Sequence, residues 1–225
     1  MGTRFALVGD IHGRFEMLAE ALDVARGRWG QIDLVLAVGD VEPNRHHDDH
    51  LGVVGPPRYR KVGDFPQVAA GDISLGAPLY FIAGNHDPYP ALDHNGAGEW
   101  TPGVWWLGRW GITKVADLNI GFLSGIYSKK YSDTPEPKRN NAKQRIYWHR
   151  SEWEQLTRTA RRHLGRVDVL LTHDWPSGIG TNREGKPVGD PSLRHLTQKL
   201  RPRIHACGHM HHDHQARIGP PRSYA

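Results

Sequence analysis

The sequence predicts an α/β layered domain. Short apolar runs recur along the chain, amphipathic helical patterns separate them, and polar residues follow the apolar runs directly. The chain has 225 residues, of which 38% are hydrophobic and 24% charged. This length allows one α/β domain with a substantial core and is too short for two comfortable ones. We therefore expect a single folded domain over residues 1–225, without internal repeats.

The first half of the chain alternates strand and helix patterns. Buried strands are predicted at 5–8, 34–38 and 79–83. A helix is predicted after the first strand, because apolar residues recur there at spacings of three and four: Phe15, Leu18, Leu22 and Ala25. Residues 41–76 form a long polar stretch rich in Pro, Gly and His. A loop of that length inside a compact domain is usually functional.

The second half is predicted to begin with three closely spaced strands, near enough to pair as a meander. These strands cover 103–107, 111–116 and 119–123. Residues 125–147 are polar, basic and poor in aliphatic side chains, so they are predicted to form a long excursion. A helix is predicted from Ser151, because Ser151 and Glu154 have the spacing of a capping box. Further strands are predicted at 167–171 and 203–207, with a helix at 191–200.

Charge and cysteine content limit the function classes. The net charge of +5 favours a polyanionic partner. The first apolar run is too short for a signal peptide, and no stretch approaches the ~20 apolar residues of a membrane span. We expect a cytoplasmic protein without membrane association, and nothing points to a protein partner. The single cysteine, Cys207, excludes an internal disulfide and is expected to be a buried strand residue.

Each predicted buried strand ends in side chains that bind metal ions. These runs are Asp10-Ile11-His12, Gly39-Asp40, Gly84-Asn85-His86-Asp87, Thr172-His173 and Gly208-His209-Met210-His211. Because the carboxyl ends of strands in an open α/β sheet meet at one edge, we expect these side chains to build one pocket. Carboxylates, an amide and imidazoles, without a thiolate, suit two adjacent divalent ions of manganese, iron or zinc.

The five motifs, in this order, resemble the metallophosphoesterase (calcineurin-like) superfamily, and the resemblance covers residues 10 to 211. It implies two packed mixed β-sheets flanked by helices, a four-layer sandwich. It also implies a ligand set in which Asp40 bridges two metals. One metal would be held by Asp10, His12 and His211, and the other by Asn85, His173 and His209. His86 would be the catalytic histidine, and Asp87 would either orient it or only satisfy loop amides.

Four connecting segments are similar to those of the RNA lariat debranching enzymes: residues 59–65, 124–127, 146–150 and 172–176. The excursion at 125–147 falls where that family carries its lariat-recognition loop. Its basic residues are candidates for binding phosphates of RNA: Lys129, Lys130, Lys138, Arg139, Lys143, Arg145 and Arg150. The alternative is a solvated basic loop. Eukaryotic members commonly have cysteine where this chain has Asp10, which leaves the metal identity open.

The resemblance implies two-metal hydrolysis, in which a metal-bridging hydroxide attacks phosphorus and His86 protonates the leaving oxygen. The first hypothesis is a debranching-like RNA 2′,5′-phosphodiesterase. A second is a general phosphodiesterase or phosphatase on small nucleotides or phosphoproteins, favoured because the sequence ends 14 residues after His211 rather than continuing into a C-terminal extension. A third is a non-catalytic scaffold of the same fold, which the complete ligand set argues against.

Overall fold

The computed structural model describes residues 2–55, 61–134, 139–162 and 166–219. The strands in these ranges are β1 Phe5–Val8, β2 Leu34–Val38, β3 Leu79–Ile82, β4 Gly98–Thr101, β5 Val104–Trp106, β6 Trp110–Val115, β7 Leu118–Leu123, β8 Val169–Thr172 and β9 Ile204–Ala206. The helices are α1 Phe15–Trp29, α2 His47–His50, α3 Phe65–Ala70, α4 Tyr89–Asn95, α5 Lys129–Ser132, α6 Ala142–Arg145, α7 Arg150–Arg162 and α8 Pro191–Leu200.

The strands form two mixed sheets. One has five strands in the order β1-β2-β3-β5-β4, and the other has four in the order β6-β7-β8-β9. In the first sheet β1, β2, β3 and β5 are parallel, and β4 is antiparallel to β5. In the second, β6 is antiparallel to β7, while β7, β8 and β9 are parallel. Two mixed sheets with flanking helices confirm the predicted fold class.

The core explains why β2 is apolar at all five positions. Leu34, Leu36 and Val38 face the second sheet and pack in one cluster with residues of β7 and β8. Val35 and Ala37 face the opposite way and pack in the cluster that contains α1. A strand covered on both faces carries a continuous apolar run rather than an alternating one. Helices α7 and α8 contribute Leu156, Leu193 and Leu196 to a third cluster, which includes Leu123 and Leu170 of the second sheet.

The predicted three-strand meander is wrong. Strand β5 pairs with β3 and β4 in the first sheet, whereas β6 and β7 pair in the second. Strand β4 was not predicted. The chain passes from one sheet to the other between Trp106 and Trp110, where Gly108 has a φ of 109° that other residues rarely adopt. Strands this close along the chain can pair or separate with the same apolar pattern, so the sequence could not distinguish the two arrangements.

The predicted start of the helix at Ser151 is also wrong. Helix α7 begins at Arg150, and the carboxylate of Glu152 accepts a hydrogen bond from the backbone N–H of His149 at 2.8 Å. Glu152 is the third helical residue, so it fulfils the role that the sequence pattern had given to Glu154. The two long polar stretches contain short helices that were not predicted, α2 and α3 in the first and α5 and α6 in the second.

Candidate metal centre

The loops that follow β1, β2, β3, β8 and β9 converge at one edge of the two sheets. The backbone N–H of His12 donates to the carbonyl oxygen of Asp40 at 2.8 Å, and the N–H of His209 donates to Oδ1 of Asp10 at 3.0 Å. Gly84 allows the loop after β3 to approach Asp40 closely, because a Cβ at this position would collide with Oδ1 of Asp40. The structure brings all seven predicted ligands to this edge.

Four of the predicted ligands form a first group: Asp10, His12, Asp40 and His211. Each offers a ligand atom, and these atoms all lie within 4.8 Å of one another. Nε2 of His12 is 3.5 Å from Nε2 of His211 and 3.9 Å from Oδ2 of Asp40. Nε2 of His211 is 3.6 Å from Oδ1 of Asp10. Two carboxylates and two imidazoles around one point could hold a divalent ion.

A second group shares Asp40 with the first. Asp40, His173 and His209 also have ligand atoms within 4.8 Å of one another. Nε2 of His173 lies 3.3 Å from Oδ2 of Asp40 and 3.2 Å from Oδ1 of Asn85, so the amide belongs to this group. The two groups contain the residues that the family resemblance assigns to the two metals, and the binding of metal by each group stays a prediction.

Oδ2 of Asp40 is the atom that joins the two groups. Asp40 is buried, with 1% of its surface exposed, and its Oδ1 accepts a hydrogen bond from the N–H of His86 at 2.7 Å. Its Oδ2 makes no hydrogen bond with any residue that the structure describes, although His12 and His173 approach it from opposite groups. A buried carboxylate oxygen without a hydrogen bond is unfavourable. The donor set therefore fits two cations that share this oxygen.

The charges within the centre are coupled. Burial opposes ionisation of Asp40, but the positive charge of His173 holds the pKa of this carboxyl below its ordinary value. Burial also opposes protonation of His173, but Asp40 raises the pKa of this imidazole to about 9. Because a metal ligand must be the neutral imidazole, binding of an ion here would release the proton of His173.

Both central histidines are held through their second ring nitrogen. Nδ1 of His173 donates to the carbonyl oxygen of Val38 at 2.8 Å, and Nδ1 of His12 lies 2.7 Å from Oε1 of Glu42. These partners leave Nε2 facing the centre in each ring. The sequence reasoning missed Glu42. Glu42 follows Asp40 by two residues, in Gly39-Asp40-Val41-Glu42. This spacing alone only weakly indicates a role at the metal centre, because the contact with His12 depends on the turn of the backbone.

Glu42→Gln should weaken metal binding by about 10- to 100-fold, the usual effect of losing a carboxylate that supports a ligating histidine. The change keeps the shape and the hydrogen-bond acceptor but removes the negative charge. Competitive titration with a chromophoric chelator measures the affinity, and Glu20→Gln, at an exposed site on α1, is the control. An unchanged affinity in Glu42→Gln would show that the contact with His12 has no such role.

Residues with a left-handed backbone conformation cluster in the loops of the centre. Among the described residues, eight other than glycine have positive φ, and six of them lie here: Asp10, His12, Asp40, Glu42, His209 and His211, at 49° to 72°. Each such residue costs roughly 1–2 kcal/mol compared with right-handed backbone. The turns at Asp10 and His12 accompany the placement of both side chains in the first group of ligands.

His86 and Asp87 lie beside this centre in different environments. The ring of His86 meets that of His12 edge-on, with centroids 5.5 Å apart. The carboxylate of Asp87 is fully buried and accepts hydrogen bonds from the N–H groups of Gly84 and Glu42 at 2.6 and 2.7 Å. Burial and the nearby charge of Asp40 raise the pKa of Asp87 to about 7. These contacts favour the role of satisfying loop amides over that of orienting the His86 ring.

The basic residues predicted to bind substrate fall into two sets. Three form ion pairs: Arg139 with Glu152 at 2.7 Å, Arg145 with Asp93 at 2.6 Å and Arg150 with Asp133 at 2.5 Å. The first two pairs fasten the excursion to α7 and α4. The other set, Lys129, Lys130 and Lys143, makes no ion pair with any carboxylate in the described ranges. Lys138 lies outside the described residues.

Comparison with known proteins identifies the class. The sequence model of the calcineurin-like phosphoesterase family matches residues 3–213. The chain therefore belongs to the calcineurin-like phosphoesterase family, and the prediction of a metal-dependent phosphoesterase is confirmed at this level. A solved crystal structure with 14% sequence identity superposes with a TM-score of 0.65 over 97% of this chain and 88% of the other, which supports the fold.

Comparison with individual proteins gives a more specific similarity than the family does. The chain is similar to the lariat debranching enzymes of Entamoeba histolytica (27% identity, 96% of this chain and 66% of the relative), Schizosaccharomyces pombe (29%, 80% and 43%) and Homo sapiens (28%, 92% and 42%). The predicted resemblance to these enzymes is confirmed. The chain spans 42% to 66% of the length of these relatives, and its single-domain organisation stays a prediction.

One structural finding bears on membranes. In the part of the chain that the structure describes, none of the helices has both the length and the apolar character needed to cross a bilayer.

Proposed function

We propose that this chain hydrolyses a phosphodiester of RNA, with preference for a 2′,5′ linkage, in a reaction that depends on two divalent metal ions. The observation that carries the proposal is the position of Oδ2 of Asp40. This buried oxygen lies between two groups of ligand side chains and accepts no hydrogen bond from the residues that the structure describes. The linkage is supported by similarity to lariat debranching enzymes over most of the chain.

The ions, of manganese, iron or zinc, would be held by the seven side chains described above. Asp10, His12 and His211 would bind one, Asn85, His173 and His209 the other, and Asp40 both. When bound, such a pair lowers the pKa of a water molecule and polarises the phosphoryl oxygens. Imidazole, amide and carboxylate donors without a thiolate fit this assignment.

The chain's own residues have three further tasks in this proposal. His86, adjacent to the first group, donates a proton to the leaving ribose oxygen, because a positioned imidazole can act as a general acid. Asp87 holds the amides of Gly84 and Glu42 and so fixes the loop that carries His86. Lys129, Lys130 and Lys143, without carboxylate partners in the described ranges, attract flanking phosphates of the RNA.

The test is a comparison of linkages. A 2′,5′-linked or branched oligoribonucleotide should be cleaved with a kcat/KM at least about tenfold above that of its 3′,5′-linked isomer, equivalent to about 1.4 kcal/mol of transition-state binding. The assay is run at fixed salt with Mn²⁺, beside a 2′,3′-cyclic nucleotide and p-nitrophenyl phosphate. If the oligonucleotides are inert and a small ester is turned over well, the general phosphodiesterase replaces the present proposal.

A charge variant tests the role of the excursion in the same assay. Replacing Lys129, Lys130 and Lys143 together by Ala should weaken oligonucleotide turnover and flatten its dependence on salt, since fewer counterions are released. Hydrolysis of bis-p-nitrophenyl phosphate, which has no flanking phosphates, serves as the internal reference. The matched control removes three exposed cations elsewhere, Arg28, Lys114 and Arg161. Equal losses in both triple variants would point to net charge rather than to this site.

A further inference from the structure

A cavity of about 240 Å³ lies between the starts of α7 and α8, and its walls include none of the candidate metal ligands. The walls are formed by Trp148, Arg150, Trp153, Pro191, Ser192 and His195. Pockets for whole small-molecule ligands usually measure about 300–1,000 Å³. This smaller cavity suits a single planar ring system with its substituents outside.

Aromatic surface is the first feature of the cavity that points to a ligand. The rings of Trp153 and His195 stack at a centroid distance of 5.6 Å with 17° between their planes. His195 is exposed to solvent, whereas Trp148 is 2% exposed and forms a buried part of the wall. The outer face of an exposed aromatic ring such as that of His195 can stack on a nucleobase, and such stacking depends little on sequence.

A polar atom without a hydrogen-bond partner among the described residues is the second feature. The indole Nε1–H of Trp148 is buried and makes no hydrogen bond with the described residues. Buried polar atoms in native structures are normally satisfied. The indole N–H of Trp148, a wall residue, matches a heterocycle that carries an acceptor on its edge.

Charge and position are the third feature. The guanidinium of Arg150 is about half exposed, and its hydrogen bond to Asp133 leaves further N–H donors available for a phosphate. The cavity is also linked to the candidate metal centre. The ring of Tyr127 packs on Trp148 at 5.4 Å, and the N–H of Tyr127 donates to Asp174, the neighbour of His173, at 3.4 Å.

We propose that this cavity binds one nucleobase of the RNA substrate, with Arg150 contacting the adjacent phosphate. The base belongs to a nucleotide that flanks the scissile linkage, so this part of the inference rests on the proposed function. A free nucleotide offers the same chemistry, and the experiment below separates the two sources.

The first arm measures base-dependent binding. The full chain, loaded with diamagnetic Zn²⁺, is titrated with AMP and with ribose 5-phosphate while NMR follows the indole N–H signals of Trp148 and Trp153. Trp148→Phe and Trp153→Phe assign these signals. Any binding of phosphate at the metal centre is common to both ligands, so only the base distinguishes them. AMP should shift both indole signals clearly more than ribose 5-phosphate does at equal saturation, because only AMP places a base in the cavity. The same response to both ligands would overturn the proposal.

The second arm uses a variant at the surface of the cavity. His195→Ala should weaken binding of AMP and of a short oligoadenylate at least about fivefold, the lower end of the effect of losing one base–aromatic stack. His94→Ala, which removes an exposed imidazole near the end of α4, should leave both affinities unchanged. Thermal unfolding checks that both variants fold. Arg150→Gln is a second variant, which should weaken AMP binding while leaving adenosine binding unchanged.

The outcomes separate the proposals. If His195→Ala weakens AMP but not the oligoadenylate, the cavity is a free-nucleotide site and the assignment to RNA is overturned. Unchanged binding of both ligands would overturn the nucleobase site itself, even if the chain cleaves 2′,5′ linkages. Base-dependent binding in a chain that fails to cleave any RNA linkage would overturn the proposed reaction while supporting the nucleobase site.

Discussion

Replacing Asp40 by Asn should remove nearly all hydrolytic activity, by about 10³-fold or more. The atom that faces both ligand groups would become an uncharged amide nitrogen, which does not bind a cation, and a metal pair held there would contribute several kcal/mol of transition-state stabilisation. Asn keeps an oxygen that can accept the hydrogen bond from the N–H of His86, so the loop should retain its conformation. The readouts are kcat on bis-p-nitrophenyl phosphate and the metal content of the purified protein.

Two comparisons make this result specific. Wild-type protein treated with a chelator should lose activity and regain it with Mn²⁺, whereas Asp40→Asn should not recover at the same concentration. Asp48→Asn, at an exposed position on α2, is the control for removing one carboxylate. A variant at position 40 that binds two ions per chain and remains active would contradict the assignment of Asp40 as the shared ligand.

His86→Ala should lower the rate on esters with poor leaving groups by about 10²–10⁴-fold, the contribution of a positioned proton donor. Metal content should be unchanged, because the substitution keeps the N–H that binds Asp40. On p-nitrophenyl esters the loss should be much smaller, since that leaving group departs without a proton. The pair of kcat values for one ester of each kind measures the difference.

The control for this prediction is His47→Ala, which removes an exposed imidazole from α2. It should leave both rates unchanged. An equal loss on both kinds of ester in His86→Ala would instead indicate that His86 supports the metal centre, for example through its edge contact with the His12 ring.

The convergence of the seven candidate ligands at one edge could be predicted from the sequence. Each follows an apolar run directly, and parallel strands place such positions at one edge. Glu42 could not be found in this way. Its carboxylate reaches His12 because both residues have left-handed backbone, and neither residue type indicates such a turn. The pairing of β5 with β3 could likewise not be predicted, because the apolar pattern of β5 suits either sheet.

The ion pairs of the excursion are a second feature that could not be predicted from the sequence. Arg145 pairs with Asp93, 52 positions earlier in the chain, and Arg139 pairs with Glu152 across a gap of 13. A cluster of cations in a sequence gives their number but not their partners. The structure separates the arginines that fasten the excursion, Arg139 and Arg145, from the lysines that form no ion pair with a carboxylate in the described ranges.

The left-handed turns at Asp10, His12, Asp40, Glu42, His209 and His211 have a consequence for attempts to improve this protein. Glycine adopts such a backbone without strain, so glycine at any of these positions would relax the folded chain. Functional sites of this kind keep a protein below its greatest attainable stability. A library screened for heat resistance alone would therefore enrich substitutions that dismantle the centre, and the screen must require turnover in every round.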